Sequence, residues 1–126
     1  MSASLHEPLR GEIWFAGFDP VVGHEQGGDR PCLVISADAF NRGPAQRLIA
    51  VPITTKQRNI ATHVRVDPPE GGLRSVSFII CEDVRAISKL RLQARWGQVS
   101  PSTIAAAEAR LKDADEALSG WPALMN

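Results

Sequence analysis

Residues 12–36 read EIWFAGFDPVVGHEQGGDRPCLVIS, two short runs of β-branched, aromatic and aliphatic residues on either side of a polar, glycine-rich stretch. Each run, at residues 12–18 and 32–36, has the length and composition of a β-strand. The connection from Asp19 to Pro31 is much longer than the usual hairpin loop of about two to five residues, and connections of this length are often functional. We therefore predict two strands joined by a functional loop.

Four further runs of the same kind occupy residues 48–53, 62–66, 76–81 and 95–99, with glycine- and proline-rich turns between them. Short strands at this spacing predict a small antiparallel barrel or sandwich. Residues 62–66 alternate between polar and apolar, which is typical of a strand with one solvent face. Residues 33–35 and 78–80 are continuously apolar, which is typical of strands covered on both faces.

The last third of the chain has a helical period. Ser100 is suited to cap the start of a helix, Pro101 to its first position, and Gly120 to its end. A shorter helical turn is predicted at residues 89–92, after Ser88. We expect the long helix to pack on the β-structure through an apolar stripe with spacings of three and four, formed by Ile104, Ala107, Leu111, Ala114 and Leu118.

Composition indicates one globular domain, because the chain has 126 residues, 44% of them hydrophobic and 22% charged. No apolar run approaches the roughly 20 residues of a membrane helix. Residues 1–10 lack the apolar core of a signal peptide, so we expect a cytoplasmic protein. Cys32 and Cys81 lie in apolar runs away from other metal-ligand residues, which predicts buried thiols and no metal ion or other cofactor.

The net charge is zero, but the charges are unevenly distributed. Residues 42–95 hold ten basic and four acidic residues, while the rest of the chain holds four basic and ten acidic ones. This asymmetry indicates a basic face able to bind an anionic partner. Ordinary solvated charge explains it equally well at this point.

Two segments carry side chains suited to chemistry. The loop from Asp19 to Pro31 contains Glu25, His24 and Arg30, and Arg30 stands where the next strand begins and the backbone is more rigid. Residues 51–56, VPITTK, lead an apolar strand into hydroxyls and a cation, which suits a phosphate. Taken singly, Arg30 is explained as a surface charge and Thr54 as a β-branched strand residue.

Together these segments resemble the MazF/PemK (Kid) toxins of bacterial toxin–antitoxin systems. The resemblance covers about residues 10–118, and its motifs occur in order as Arg10-Gly11-Glu12-Ile13-Trp14, Asp19-Pro20, GHEQGGDRP at 23–31, Pro52-Ile53-Thr54, CEDVRAI at 81–87 and the Gly97…Ser100-Pro101 helix entry. It implies a mainly β fold with α, namely a small SH3-like β-barrel (CcdB/PemK-like) with a C-terminal helix and one or two short helices. It also implies a single toxin domain over residues 1–126, with a flexible N-terminus at 1–9 and a tail at 120–126.

The function that the resemblance implies is sequence-specific, metal-independent cleavage of single-stranded RNA, as an mRNA interferase. Attack by the 2′-hydroxyl would leave 2′,3′-cyclic phosphate and 5′-hydroxyl ends. Partners would be a second copy of the chain in a homodimer and a cognate antitoxin, whose acidic disordered segment would bind the basic middle of the chain. Two features depart from the family pattern: Val21-Val22, where threonine is frequent, and the tail after Gly120.

The resemblance also implies roles for individual residues. Arg30 and Thr54 match the catalytic arginine and the catalytic serine or threonine, and Glu25 matches a proposed general base, for which His24 is the alternative. A second basic set, Lys56, Arg58, Arg85, Lys89 and Arg91, would hold flanking phosphates. The residues expected to bind RNA are His24, Gln26, Gly27, Gly28, Thr55, Lys56, Arg58 and Arg85.

Two other functions stay open at this point. One is a non-catalytic CcdB-like toxin that binds DNA gyrase, and the other is a silent relative that binds only an antitoxin. Glu25, Arg30 and Thr54 discriminate between these classes, because a nuclease needs them and a gyrase binder does not. Trp14 and Phe18 are candidates for stacking on RNA bases, or for the core.

Overall fold

The computed structural model describes residues 6–19 and 27–117. Three 3₁₀ turns, Glu70–Gly72, Cys81–Asp83 and Lys89–Arg91, lie between the longer elements. The strands and α-helices follow in the order β1 (Glu12–Gly17), β2 (Asp29–Val34), α1 (Asp38–Arg42), β3 (Arg47–Thr54), β4 (His63–Val66), β5 (Ser77–Ile80), β6 (Arg85–Ser88), β7 (Leu92–Gln98) and α2 (Pro101–Ala117).

The strands form one antiparallel sheet in the order β4-β5-β3-β2-β1-β7, and β6 pairs with the first half of β3. This arrangement confirms the mainly β class with a C-terminal helix. Among the described residues no backbone pairing joins β4 to β7, so closure of the sheet into an SH3-like barrel stays a prediction.

The sheet buries apolar side chains on both faces. Along β2, Leu33 packs into one cluster, while its neighbours Cys32 and Val34 pack into the other. The first cluster also contains Ala107 and receives Ile104 and Leu111 from α2, which confirms the predicted apolar stripe of the helix at these three residues. Leu118 and Gly120 lie outside the described residues.

The second cluster lies on the face of the sheet opposite α2. It contains Trp14 and Phe18, each 2% exposed, together with Leu48, Ala50 and Ile87. The two aromatic side chains therefore belong to the core, which is the second of the two roles that the sequence left open for them. Burial of this apolar area stabilises the fold through the hydrophobic effect.

Both cysteines are buried and reduced, as predicted. Burial raises the pKa of the Cys32 thiol to about 12, and also that of Cys81, to which the neighbouring Glu82 contributes. Thiols of this kind are poor nucleophiles. No helix in the described ranges is long and apolar enough to cross a membrane.

Two elements were not predicted. β6 contains only one large apolar residue, Ile87, and it becomes a strand because it pairs with β3. α1 is one short turn of helix, held by the buried amide of Asn41, whose Nδ2 donates to the carbonyls of Pro8 and Ser36, both at 3.1 Å. The predicted turn after Ser88 is confirmed as Lys89–Arg91, with the Ser88 side chain accepting from the Leu90 amide.

Glu12, only 1% exposed, connects β1 to two other parts of the chain. Its carboxylate accepts from the backbone amide of Leu9 at 2.8 Å, Trp14 Nε1 at 3.0 Å and Arg95 Nε at 2.6 Å, and it contacts His6 Nε2 at 2.8 Å. Burial alone would raise the pKa of Glu12. The hydrogen bonds together outweigh burial and hold the pKa below its usual value.

We expect the Glu12→Gln substitution to lower the free energy of unfolding by about 2 kcal/mol at pH 7, because hydrogen bonds to a charged group are lost. Since the pKa of Glu12 is depressed in the folded state, its contribution is present above the unfolded value near 4.5 and disappears as the pH falls through the folded value. Urea unfolding at pH 7 and pH 3 measures both effects.

The matched control is Glu108→Gln, because Glu108 also pairs with an arginine, Arg10, but on the surface. We expect this exposed pair to contribute less than about 1 kcal/mol. A Glu12→Gln variant as stable as the control, or one whose deficit is unchanged at pH 3, would contradict the role of the buried carboxylate.

Candidate active site

Arg30 and Thr54 stand on neighbouring strands. β2 and β3 pair with Cys32 opposite Pro52 and Leu33 opposite Val51. The same register, continued by two residues, places Arg30 opposite Thr54. Backbone pairing stops before that point because Pro31 and Pro52 have no N–H to donate. The prolines therefore end the ladder just before the register position of Arg30 and Thr54.

A cleft of about 240 Å³ opens beyond the end of this ladder. It contains both predicted catalytic residues that lie in the described part of the chain. Its lining consists of Asp29, Arg30, Pro31, Ile53, Thr54, Thr55, Lys56 and Ser77.

Thr54 is held in one orientation at the end of β3. Its side chain is buried, with 7% of the residue exposed, and its Oγ1 accepts from the Lys56 amide at 3.2 Å. Because the backbone amide occupies an acceptor position of the oxygen, the hydroxyl hydrogen can be donated to a ligand. Thr55 and Lys56 follow as exposed residues at the rim of the cleft.

Arg30 is half-buried, and its Nε donates to the Gly27 carbonyl at 2.8 Å. Burial lowers the pKa of Arg30, and repulsion from Arg85 lowers it further, while the carboxylates of Asp19 and Asp83 partly offset both. The guanidinium nevertheless stays protonated at neutral pH, because an arginine pKa is so high. Two nearby cations in a partly desolvated setting favour an anion between them.

The long loop between β1 and β2 is closed at its base by hydrogen bonds, which we call the loop neck. The Phe18 amide donates to the Gly28 carbonyl at 3.0 Å, and the Gly28 amide donates to Asp19 Oδ1 at 2.8 Å. Arg91 donates to the Asp19 carbonyl. Gly28 has a φ of 71°, which only glycine adopts readily.

Several predicted residues are placed by this geometry. Gly27 and Gly28 lie at the loop neck, and Arg58 is exposed in the chain after β3. Arg85 lies 4.9 Å from the centre of the Phe18 ring, near enough to Arg30 to affect its pKa. The predicted loop residues His24, Glu25 and Gln26 lie outside the described residues.

One member of the predicted basic set has a structural role. Lys89 Nζ contacts Glu7 Oε1 at 2.5 Å and donates to the Asn41 carbonyl at 2.9 Å, so its charge is already used to hold the N-terminal segment.

The sequence analysis missed four polar residues around the cleft. Asp29 and Ser77 line it, while Asp19 and Asp83 act on the charge of Arg30. Asp19 and Asp29 stand at the two ends of the long loop, so their positions in the sequence could have indicated that they lie near the cleft. Ser77 and Asp83 are brought in by β5 and the turn after it, and only the pairing of β5 with β3 reveals them.

Comparisons with known proteins agree with this geometry. A model of the PemK-like, MazF-like toxins of type II toxin–antitoxin systems matches residues 9–114. Endoribonuclease EndoA of Bacillus subtilis is 42% identical over 84 residues, which are 66% of this chain and 72% of EndoA.

Solved structures are similar over most of the chain. A crystal structure of MazF from Deinococcus radiodurans matches with a TM-score of 0.76 and 26% identity, covering 86% of this chain and 96% of that one. An endoribonuclease in complex with its cognate antitoxin, from a mycobacterial species, matches with a TM-score of 0.69 and 28% identity, covering 85% and 93%.

We expect the Asp19→Ala substitution to open the loop neck, because the Gly28 amide loses its acceptor. A hydrogen bond to a carboxylate at an exposed position contributes about 1 kcal/mol, so exchange of the Gly28 amide should become about fivefold faster. Hydrogen–deuterium exchange followed by NMR measures this rate. The control is Asp67→Ala, whose carboxylate contacts Arg65 on the surface. Equal exchange rates of the Gly28 amide in the two variants would contradict the role of Asp19 in closing the loop neck.

Proposed function

Since the chain belongs to the PemK-like, MazF-like family of toxins of type II toxin–antitoxin systems, we propose that it cuts single-stranded RNA at the cleft between Arg30 and Thr54. Its family and its identity to EndoA make it an endoribonuclease. The proposal concerns where and how the chain cuts, with sequence specificity and without a metal ion. The observation that carries it is that Arg30 and Thr54 line one cleft where the β2–β3 ladder ends.

The reaction is an internal transfer within the RNA. The 2′-oxygen forms a bond to the neighbouring phosphorus, and the bond from phosphorus to the 5′-oxygen breaks. Negative charge builds up on the phosphoryl oxygens as this happens. Arg30 neutralises that charge through its planar fork, which fits two phosphate oxygens, and Thr54 donates a hydrogen bond to the same group. Each such preorganised donor contributes roughly 10²- to 10³-fold in rate.

Two proton transfers complete the reaction. Glu25, five residues before Arg30 in the sequence, takes the proton of the 2′-hydroxyl, with His24 as the alternative base. The leaving 5′-oxygen receives a proton. Arg30 is a weak candidate for that acid because its pKa is so high. The products are a 2′,3′-cyclic phosphate and a 5′-hydroxyl.

Residues around the cleft would hold the rest of the strand. Lys56 and Arg58 extend positive charge from the rim of the cleft, and Arg85 extends it toward β6. Single-stranded RNA is read through bases turned out onto a protein surface. The remaining residues of this proposed RNA surface are His24, Gln26, Gly27, Gly28 and Thr55.

The proposed partners follow from the family. A cognate antitoxin, bound through an acidic disordered segment, would occupy the basic surface and exclude RNA. The mycobacterial endoribonuclease structure contains its cognate antitoxin, which supports such a complex. We also propose a homodimer, a single toxin domain over residues 1–126 and a cytoplasmic location.

We expect Arg30→Ala to reduce cleavage of a mixed-sequence single-stranded RNA, in EDTA, by at least about 10²-fold. Arg30→Lys should recover only part of the rate, because lysine keeps the charge but loses the planar fork. Gel analysis with end mapping measures rate and chemistry, and circular dichroism checks folding. If folded wild-type protein cut none of a varied set of RNAs, the proposal would fail in favour of a gyrase binder or a silent antitoxin-binding relative.

The role of the Thr54 hydroxyl can be tested with substitutions that resemble threonine in shape. Thr54→Val keeps the branched side chain and removes the hydroxyl, so we expect cleavage to fall about 10²-fold. Thr54→Ser keeps the hydroxyl and should stay within about tenfold of wild type. Single-turnover rates in EDTA compare the two variants. Equal loss in both would indicate that Thr54 acts through packing and not through its hydroxyl.

A further inference from the structure

A second cleft of about 240 Å³ lies at the other end of β3. It is built from the start of β3, from β6 and from the turn after β6, and Phe18 contributes to its lining. Its lining consists of Phe18, Arg47, Arg85, Ala86, Ile87, Ser88 and Arg91. We call it the Arg47 cleft.

The Arg47 cleft repeats the arrangement of the first one. Arg47 lies directly opposite Ser88 in the β3–β6 ladder, as Arg30 lies opposite Thr54 across β2 and β3. Ser88 Oγ accepts from the Leu90 amide at 3.2 Å, two residues later, just as Thr54 Oγ1 accepts from Lys56 at 3.2 Å. Each cleft therefore holds an arginine opposite a hydroxyl whose hydrogen can be donated to a ligand.

The charge of the Arg47 cleft is one-sided. Three guanidiniums line it, and no carboxylate is among its described lining residues. The side chain of Arg47 makes no hydrogen bond or ion pair with any other described residue. Guanidiniums gathered in one cleft attract an anion, and guanidiniums with a hydroxyl match the oxygens of a phosphate.

We propose that the Arg47 cleft binds a backbone phosphate of the RNA strand, at a distance from the phosphate that is cut. This inference rests on the proposed function. Arg85 connects the two clefts, because it lines the Arg47 cleft and its charge also acts on Arg30. That continuity of positive charge favours one polyanionic strand that passes through both clefts.

The length of β3 sets the spacing of the two sites. Arg47 and Thr54 are its first and last residues, and a strand rises about 3.3 Å per residue, so they lie on the order of 20 Å apart. That length corresponds to about six nucleotides of a stacked strand, and to fewer nucleotides of an extended one. The second phosphate thus lies several nucleotides from the cut.

The test neutralises one phosphate at a time. The probe is an RNA whose cut site has been mapped. A 2′-deoxy nucleotide at that site prevents cleavage. Each version of the probe carries a single methylphosphonate at one of the six linkages on either side of the site. Fluorescence anisotropy measures Kd. For the wild-type protein, we expect a methylphosphonate at one linkage, several nucleotides from the cut, to raise Kd about tenfold.

The Arg47→Ala variant completes a double-mutant cycle with the methylphosphonate substitution. It should bind the all-phosphate probe about tenfold more weakly than wild type and show no further loss at that one linkage. Its slope of log K against log salt should fall by about 0.7. Arg47→Lys should recover part of the affinity, and Arg65→Ala, at an exposed arginine on β4, should bind like wild type. Circular dichroism checks that each variant folds.

The outcomes separate this inference from the proposed function. If wild type cleaves RNA, but each methylphosphonate changes the Kd of wild type and of Arg47→Ala by the same factor, the inference alone is overturned. Weaker binding of a cognate antitoxin by Arg47→Ala, with RNA binding unchanged, would also overturn it and assign the cleft to the peptide. Failure of wild type to cleave any RNA would overturn the proposed function first.

Discussion

The backbone pairing of β3 with three other strands is the constraint on which the rest of the structure depends. Its first half pairs with β6, its middle with β2 and its last two residues with β5. Each partner brings different side chains: β2 brings Arg30, β5 brings Ser77, and β6 brings Ser88 and Arg85. A one-residue slip of any of these pairings would turn those side chains to the opposite face of the sheet. The geometry of both clefts is therefore a property of strand register.

The sequence predicted the fold where local pattern decides it. The apolar runs at 33–35 and 78–80 and the stripe of α2 are visible without any partner, and the structure confirms the runs and the stripe from Ile104 to Leu111. The second strand was predicted from Cys32, with Arg30 at its entry, but β2 begins at Asp29 because it pairs there with Gly17 of β1. β6 was missed for the same reason, since Arg85-Ala86-Ile87-Ser88 has too little apolar character to indicate a strand alone. Long-range pairing decides these cases, and a single sequence does not display it.

The zero net charge conceals how differently the two signs are used. Acidic side chains are engaged in structural hydrogen bonds: Glu12 with Arg95, Glu70 with Ser100 and Thr103, and Glu82 with Thr62 and His63. Burial would raise the pKa of each of these carboxyls, but their hydrogen bonds outweigh it and hold the pKa below the usual value. Arginines remain gathered at the clefts. The overall composition does not show this separation, so the proposed anion-binding surface is inferred from the residues at the clefts and not from the total charge.

The loop neck makes the long connection between β1 and β2 modular. Its two ends are fixed by Phe18, Asp19 and Gly28, and the Gly17–Asp29 pair begins the ladder immediately beside them. A segment anchored in this way can be exchanged for one of another length or sequence without a change in strand register, because residues outside the segment fix the positions of its two ends. The same scaffold can therefore accept a different loop by grafting or by natural drift, while the guanidinium at the start of β2 keeps its place.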